Sequence, residues 1–152
     1  MSVVHLLDTN IASYYLRRSS PALETRVNRG LLQQTVAISV LTRAELRFGQ
    51  AGMAEDDRRR SLIDHFLQQL PNLPWTQQAA DHYGALKDAH RRASTPIGEL
   101  DTQIAAHALA EGLTLVTHNT RHFERIGGLK LEDWMAAPPT PSVASAPKRS
   151  RR

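Results

Sequence analysis

Three acidic residues from separate parts of the sequence could together bind a divalent cation. Asp8 directly follows an apolar run, Glu45 lies early in a predicted helix after a second apolar run, and Asp101 begins another predicted helix. Carboxylate oxygens suit magnesium or manganese better than zinc, and the chain has no cysteine. A cation held this way can activate water and stabilise negative charge that develops during a hydrolysis. We therefore predict that Asp8, Glu45 and Asp101 form a Mg²⁺ or Mn²⁺ site.

Each of these acids also has a simpler interpretation. Asp8 and Asp101 could be helix N-caps, a position that aspartate favours, and Glu45 could be a solvated surface charge. His118 and His122 have the i, i+4 spacing of zinc ligands, but they span a predicted strand-to-helix turn and lack an HExxH pattern. The metal hypothesis therefore depends on whether the fold brings the three acids together.

The elements that must position these acids alternate between strands and helices. Apolar runs predict strands at Val3–Leu7, Val36–Ser39, Leu113–Thr117 and Leu129–Leu131, with a small strand beginning at Trp75. Helices are predicted between them, including one that Gly30 ends and one over Asp101–Glu111. This alternation predicts an α/β fold with a mainly parallel sheet of four to five strands, covered by helices on both faces.

Ligands in such folds bind beyond the carboxyl ends of the strands. Asp8 directly follows the first predicted strand, and Glu45 follows the second. Thr117 and Asn119 lie at the end of a later strand, which the Asp101 helix precedes. Acidic and polar residues from four segments are therefore predicted to converge at one edge of the sheet.

The length of 152 residues fits one domain, which we place at residues 1–137. Residues 138–152 are rich in proline, alanine and serine, and we predict a disordered basic tail. The net charge of +4 is explained by Lys148, Arg149, Arg151 and Arg152. The remaining 15 basic and 15 acidic side chains balance (19 basic residues minus four, against 15 acids). Composition alone thus gives no evidence that the domain binds nucleic acid.

The N-terminal segment lacks the basic and apolar regions of a signal peptide. No apolar stretch approaches the roughly 20 residues that span a bilayer. We therefore expect a cytoplasmic protein without a membrane anchor.

Three blocks of the sequence resemble PIN-domain ribonucleases, and in particular the VapC-type toxins of bacterial toxin–antitoxin pairs. The blocks are LLDTN at residues 6–10, ISVLTRAELRFG at residues 38–49, and IGELDTQIAAHALAEGLTLVTHNTRHFERIGGLKLEDW at residues 97–134. Their order and spacing match the family and frame the whole predicted domain. The resemblance implies a PIN-like three-layer α/β/α fold.

The resemblance also implies roles for individual residues. It places the family's three acids at Asp8, Glu45 and Asp101. The segment where a fourth acid often stands contains Asn119 and His122 instead, so Asn119 or a water would complete a second metal position. Polar groups that would orient the carboxylates are Thr9, Asn10, Ser39 and Thr117.

The implied activity is endonucleolytic hydrolysis of RNA, with 5′-phosphate and 3′-hydroxyl products. The subgroup with the motifs LLDTN and THNTRHF includes nucleases that cut initiator tRNA in the anticodon loop. This resemblance makes tRNA a candidate substrate. A small antitoxin that blocks the acidic site is the implied protein partner, and homodimers are common in the family.

Two alternative functions belong to other classes. A phosphatase or receiver-type domain would use Asp8 as phosphate acceptor. Phosphatases of the haloacid-dehalogenase type, however, require a second aspartate two residues after the first, and this position is Asn10 here. A catalytically weak PIN-like module for RNA binding or protein interaction is favoured only by the missing fourth acid. An RNase assay with magnesium, manganese and EDTA distinguishes these alternatives.

Overall fold

A computed structural model describes residues 2–94 and 97–136 of the chain. The predicted tail at 138–152 and the domain boundary at residue 137 lie outside these residues. The strands are β1 His5–Leu7, β2 Val36–Ser39, β3 Asn72–Leu73, β4 Thr114–Val116 and β5 Leu131–Glu132. The helices are α1 Thr9–Leu16, α2 Pro21–Gln33, α3 Val40–Ala51, α4 Arg58–Gln69, α5 Gln77–Ala93, α6 Glu99–Glu111 and α7 Thr120–Phe123.

The five strands form one sheet in the order β3-β2-β1-β4-β5, and every neighbouring pair is parallel. Leu7 lies beside Ile38 on one side and beside Val116 on the other, so β1 is the central strand. This arrangement confirms the predicted parallel α/β sheet. The chain leaves β1 toward β2 and leaves β4 toward β5, in opposite directions along the sheet. The crevice between β1 and β4 is therefore the switch point at which ligands bind in such folds.

Alternate strand residues face opposite sides of the sheet and build two separate cores. Leu7, Ile38 and Val116 pack with residues of α1, α2, α3 and α4 on one face. Leu6, Ala37 and Leu115 pack with α6 on the other. Helices on both faces bury the strands on both sides, which explains why the strands are continuously apolar. The predicted three-layer α/β/α architecture is confirmed.

Two predicted elements are placed differently in the structure. The small strand is Asn72–Leu73 rather than a strand beginning at Trp75, because Pro74 has no N–H to continue the ladder. Helix α2 does not end at Gly30 but continues to Gln33. A Cβ at Gly30 would lie 2.4 Å from Val36 Cγ1, so this glycine allows close packing of α2 on β2.

The ends of other elements also differ from the prediction. Helix α6 begins at Glu99, two residues before Asp101, because Gly98 accepts the first helical hydrogen bond from Thr102 at 2.9 Å. The last strand is Leu131–Glu132 rather than Leu129–Leu131. Across the described helices, none has both the length and the apolar character needed to cross a membrane.

Candidate active site

Asp8 lies at the carboxyl end of the central strand and is only 4% exposed. Its backbone N–H donates to the Val116 carbonyl at 3.0 Å, which continues the pairing between β1 and β4. Its Oδ1 accepts the Ile11 N–H at 2.7 Å and thereby caps α1. Asp8 is therefore a helix cap, as the simpler interpretation expects, and also a buried carboxylate at the switch point of the sheet.

The ionised form of Asp8 is unfavourable in this position. Burial raises the pKa of Asp8 from its ordinary value of 3.8 to about 6. Hydrogen bonds from the Thr117 hydroxyl and the Ile11 N–H lower this pKa, while the negative charge of Asp101 raises it further. A group that supplies positive charge beside Asp8 would therefore be bound favourably.

Asp101 approaches the same end of the sheet from the other face. It is the third residue of α6 and lies half-buried, and burial raises its pKa. Gly98 occupies the N-cap position of this helix, so the capping interpretation does not hold for Asp101. Its Oδ2 lies 3.6 Å from Nε2 of His122, and the positive charge of a protonated His122 would lower its pKa.

An open cleft of about 410 Å³ adjoins Asp8. Its lining residues are Asp8, Asn10, Tyr14, Thr117, His118 and Asn119. Thr117 is fully buried, and its Oγ1 accepts the Asn119 N–H at 3.1 Å. Three of the predicted supporting residues, Asn10, Thr117 and Asn119, therefore share one cleft with Asp8.

Thr9 and Ser39, the other two predicted supporting residues, form hydrogen bonds to neighbouring helices and not to the carboxylates. The hydroxyl of Thr9, in α1, lies 2.9 Å from that of Thr42, in α3. Ser39 Oγ accepts the Leu41 N–H at 3.1 Å and lies 2.8 Å from His107 Nδ1, in α6. These two contacts fix the first turn of α3 between α1 and α6. Their influence on the acids is thus indirect.

His107 is a buried polar residue near the site that the sequence analysis did not single out, and it lies in the alanine-rich helix α6. It is fully buried, and burial lowers its pKa, so its ring is neutral. A hydrogen bond joins His107 Nδ1 to Ser39 Oγ at 2.8 Å, beside the one that this oxygen accepts from the Leu41 N–H. Nε2 of His107 is buried and has no hydrogen-bond partner among the described residues. Only the packing of α6 against β2 reveals this pairing.

Glu45 lies apart from the two aspartates. Its side chain is exposed on α3, and its charge shifts the pKa of neither Asp8 nor Asp101. Across residues 2–94 and 97–136, no three His, Cys, Asp or Glu side chains lie close enough together to hold a metal alone. The structure therefore brings together Asp8 and Asp101, and leaves Glu45 at a distance.

Glu45 instead lines a second depression of about 310 Å³ between α1, α3 and α4. The apolar lining of this groove consists of Leu16, Leu46, Met53, Leu62 and Ile63. Arg17, Glu45 and Arg59 add charged groups to it. Phe48, on α3, is 79% exposed, and Leu62 is 49% exposed. Large apolar side chains exposed beside a groove are typical of a protein-binding surface.

The two histidines considered as zinc ligands contact different acids. His118 Nδ1 lies 3.1 Å from Asp133 Oδ2, whereas His122 Nε2 faces Asp101. Asp133 was not predicted to take part in the site, because the short segment after β5 gives no sequence signal of its fold. This divergence gives no support to a zinc site built on both histidines.

The residues at the cleft fit a hard divalent cation. Asp101 is close enough to Asp8 for its negative charge to raise the pKa of Asp8. Thr117 and Asn119 add neutral oxygen donors to the cleft. Magnesium is usually bound by one or two carboxylates and keeps several waters, so two acids are sufficient. The buried negative charge of Asp8 is what such a cation would neutralise.

Comparison with known proteins places this arrangement in a family. The PIN-domain family model matches residues 5–129. The tRNA(fMet)-specific endonuclease VapC of Shigella flexneri is 36% identical over 129 residues, which cover 85% of this chain and 96% of the relative. Ribonuclease VapC2 of Haemophilus influenzae is 36% identical over 131 residues, which cover 86% and 98%.

A solved structure agrees with these matches. The DNA-bound VapBC of Salmonella typhimurium contains a chain that superimposes with a TM-score of 0.79 at 33% identity, covering 87% of this chain and 98% of that one. The resemblance inferred from the three sequence blocks is thereby confirmed. The chain belongs to the PIN-domain family, as a homologue of the VapC ribonucleases.

Proposed function

We propose that this protein is a metal-dependent endoribonuclease toxin that hydrolyses RNA phosphodiester bonds and is neutralised by a cognate antitoxin. The observation that carries the proposal is the pair of converging carboxylates, Asp8 and Asp101, at the switch point of a PIN-domain sheet. Relatives named as ribonucleases and as a tRNA endonuclease support the same activity. An RNA substrate in turn favours a cytoplasmic location.

The proposed cation is Mg²⁺ or Mn²⁺, held by Asp8 and Asp101, with Glu45 as the third acid. When bound, such an ion supplies positive charge to the scissile phosphate and lowers the pKa of an attacking water. Thr117 and the Ile11 N–H orient the Asp8 carboxylate by hydrogen bonds, so that little reorganisation is needed on binding. Asn10 and Asn119 place amide groups in the cleft that can contact the phosphate or sugar.

Glu45 needs a movement or a bound ligand to reach the aspartates. It lies in the second turn of α3, and the first turn of that helix is fixed by the Ser39–His107 and Thr9–Thr42 contacts. The backbone is therefore held, while the long exposed side chain of Glu45 is free to rotate. We propose that cation binding draws this carboxylate toward the cleft.

Initiator tRNA is the proposed substrate, because the Shigella flexneri relative is named for it. The measurement compares cleavage of initiator tRNA and elongator methionine tRNA transcripts under the same conditions. Cleavage restricted to the initiator transcript supports this substrate. Equal cleavage of both transcripts would leave the ribonuclease proposal standing and reject the tRNA preference.

The proposed antitoxin would occupy the apolar groove between α1, α3 and α4. The exposed Leu62 and Phe48 offer apolar contacts, and Arg17 and Arg59 offer charged ones. The Salmonella typhimurium VapBC structure, a complex by its name, supports a partner of this kind. A homodimer, the other proposed assembly, is tested by measuring the mass of the protein in solution.

The decisive experiment is an RNA cleavage assay with the full chain in Mg²⁺, in Mn²⁺ and in EDTA. Cleavage in either metal, absence of cleavage in EDTA, and 5′-phosphate ends are the expected results. Binding of RNA without cleavage would indicate the non-catalytic module instead. Hydrolysis of a phosphomonoester without RNA cleavage would indicate a phosphatase.

A further inference from the structure

His122 stands in the segment where PIN-domain nucleases often carry a fourth acid. It lies in α7, directly after the cleft residue Asn119, and its side chain is 32% exposed. Its Nε2 points at Asp101 Oδ2 across 3.6 Å. A nitrogen donor therefore occupies a place beside the proposed cation where the family often has an oxygen donor.

The contact between these two side chains is not a hydrogen bond. The separation of 3.6 Å exceeds the usual 2.7–3.2 Å range for nitrogen and oxygen. Within residues 2–94 and 97–136, neither oxygen of Asp101 accepts a hydrogen bond from another side chain. Two potential ligand atoms thus lie at a separation that a cation bound to both of them could bridge.

Each of the two other histidines near the site has a hydrogen-bond partner at Nδ1. His118 lines the cleft and its Nδ1 lies 3.1 Å from Asp133, while its positive charge, when it is protonated, lowers the pKa of Asp8. His107 is fully buried, and its Nδ1 contacts Ser39 at 2.8 Å. Within the described residues, His122 is thus the histidine whose ring nitrogen makes an ion-pair contact with a carboxylate of the proposed metal site.

Building on the proposed metal dependence, we propose that His122 Nε2 is a nitrogen ligand of the cation bound at Asp101 and gives the site a preference for Mn²⁺ over Mg²⁺. Both ions suit oxygen ligands, but Mg²⁺ is the harder of the two, so an imidazole nitrogen in the ligand shell favours Mn²⁺ relative to Mg²⁺. Asp101, His122 and bound waters would form the ligand shell of such an ion, with the negative charge of Asp8 nearby. This assignment makes His122 a specificity-determining residue of the nuclease.

The experiment detects the nitrogen directly and does not depend on cleavage. Mn²⁺ is added to the full chain, and electron spin-echo envelope modulation records whether a nitrogen nucleus is bonded to the ion. The parent protein should show nitrogen modulation. His122→Gln should lose it, and the matched variant His118→Gln should retain it.

Affinity measurements test the preference for manganese. His122→Gln should weaken Mn²⁺ binding by at least about ten-fold, the loss typical of changes around a metal centre. Its affinity for Mg²⁺, measured by competition, should stay close to that of the parent. His122→Glu restores an oxygen donor and should shift the preference back toward Mg²⁺. Circular dichroism verifies that each variant is folded.

Several outcomes would overturn the assignment. Mn²⁺ binding by the parent without nitrogen modulation would reject His122 as a ligand and leave the ribonuclease proposal intact. Loss of modulation in His118→Gln instead would assign the nitrogen to the other histidine. Absence of any Mn²⁺ or Mg²⁺ binding by the parent would reject both the ligand and the proposed metal dependence.

Discussion

The cleft beside Asp8 and the groove beside Leu62 differ in what they can bind. The cleft is polar and is lined by Asp8, whose pKa is raised by burial and by the charge of Asp101, whereas the groove is mainly apolar. Tyr14 of α1 lines the cleft, and Leu16 of the same helix lines the groove. Chemistry and partner binding are therefore assigned to adjacent but separate surfaces.

Glu45 connects these two regions. It is one of the three acids proposed for the metal site, yet in the structure it lines the groove. A protein seated in the groove would contact Glu45 and could keep its carboxylate from the cleft. This placement offers a direct physical route from antitoxin binding to inhibition.

The largest expected effect on stability comes from the burial of the Asp8 carboxylate in the cleft. In the folded protein the pKa of Asp8 is raised to about 6, so metal-free stability is lost as pH rises through about 6. A shift of this size corresponds to about 3 kcal/mol. Asp8→Asn keeps a capping side chain and removes the charge. At pH 8 in EDTA it should therefore unfold at a higher temperature than the parent.

The control for this prediction is the same pair of proteins at pH 3, below the ordinary pKa of 3.8, where the carboxyl is largely protonated in both the folded and the unfolded parent. The difference in the free energy of unfolding should nearly vanish there. Parallel stability curves between pH 3 and pH 8 would show that Asp8 carries no burial penalty.

The next effect tests the groove. Leu62→Glu places a charge among apolar side chains and should weaken binding of the cognate antitoxin by at least about thirty-fold, as expected for a central interface residue. Leu32→Glu is the matched control, because Leu32 is 86% exposed on α2 and does not line the groove. The measurement is antitoxin affinity by calorimetry. Equal loss in both variants would place the partner elsewhere.

A smaller effect tests whether Asp101 belongs to the cleft. Burial raises the pKa of Asp101, and its charge raises the pKa of Asp8, so neutralising it should stabilise the metal-free protein. Because Asp101 is only half-buried, we expect about 1 kcal/mol for Asp101→Asn after screening by solvent. Thermal stabilisation by added Mn²⁺ should decrease in the same variant. An unchanged manganese response would remove Asp101 from the metal site.

The smallest expected effect on stability is that of replacing Glu45. Its side chain is exposed, and its charge shifts the pKa of neither Asp8 nor Asp101. Glu45→Gln should therefore change metal-free stability by less than about 0.5 kcal/mol. Cleavage should nevertheless fall strongly, because the variant lacks the third acid. Melting curves in EDTA and RNA cleavage rates measure the two effects. Full cleavage by Glu45→Gln would confine this residue to the groove.

The parts of the site that follow from strand order could be predicted from the sequence. Asp8 and Thr117 directly follow apolar runs, and the carboxyl ends of parallel strands meet at one edge of the sheet. The convergence of Asp8 with Thr117 and Asn119 therefore required only the strand assignment. The parallel sheet itself could be predicted because apolar runs alternate with helical segments along the sequence.

The parts that depend on helix packing could not be predicted. The contact of His107 with Ser39 joins residues 68 positions apart, and it depends on how α6 lies across the sheet. The direction of the Glu45 side chain depends on the rotation of α3 about its own axis. Sequence spacing fixes neither quantity, and so the sequence suggested a tighter cluster of three acids than the structure contains.

The central claim is that the cleft at the end of β1 is a metal-dependent ribonuclease centre. The most direct test is the rate of RNA cleavage by Asp8→Asn in Mn²⁺, compared with that of the parent. The account predicts a loss on the order of a hundred-fold or more, in a variant that is more stable than the parent without metal. Loss of activity with gain of stability excludes unfolding as the cause. Cleavage at the parental rate by the folded variant would contradict the account.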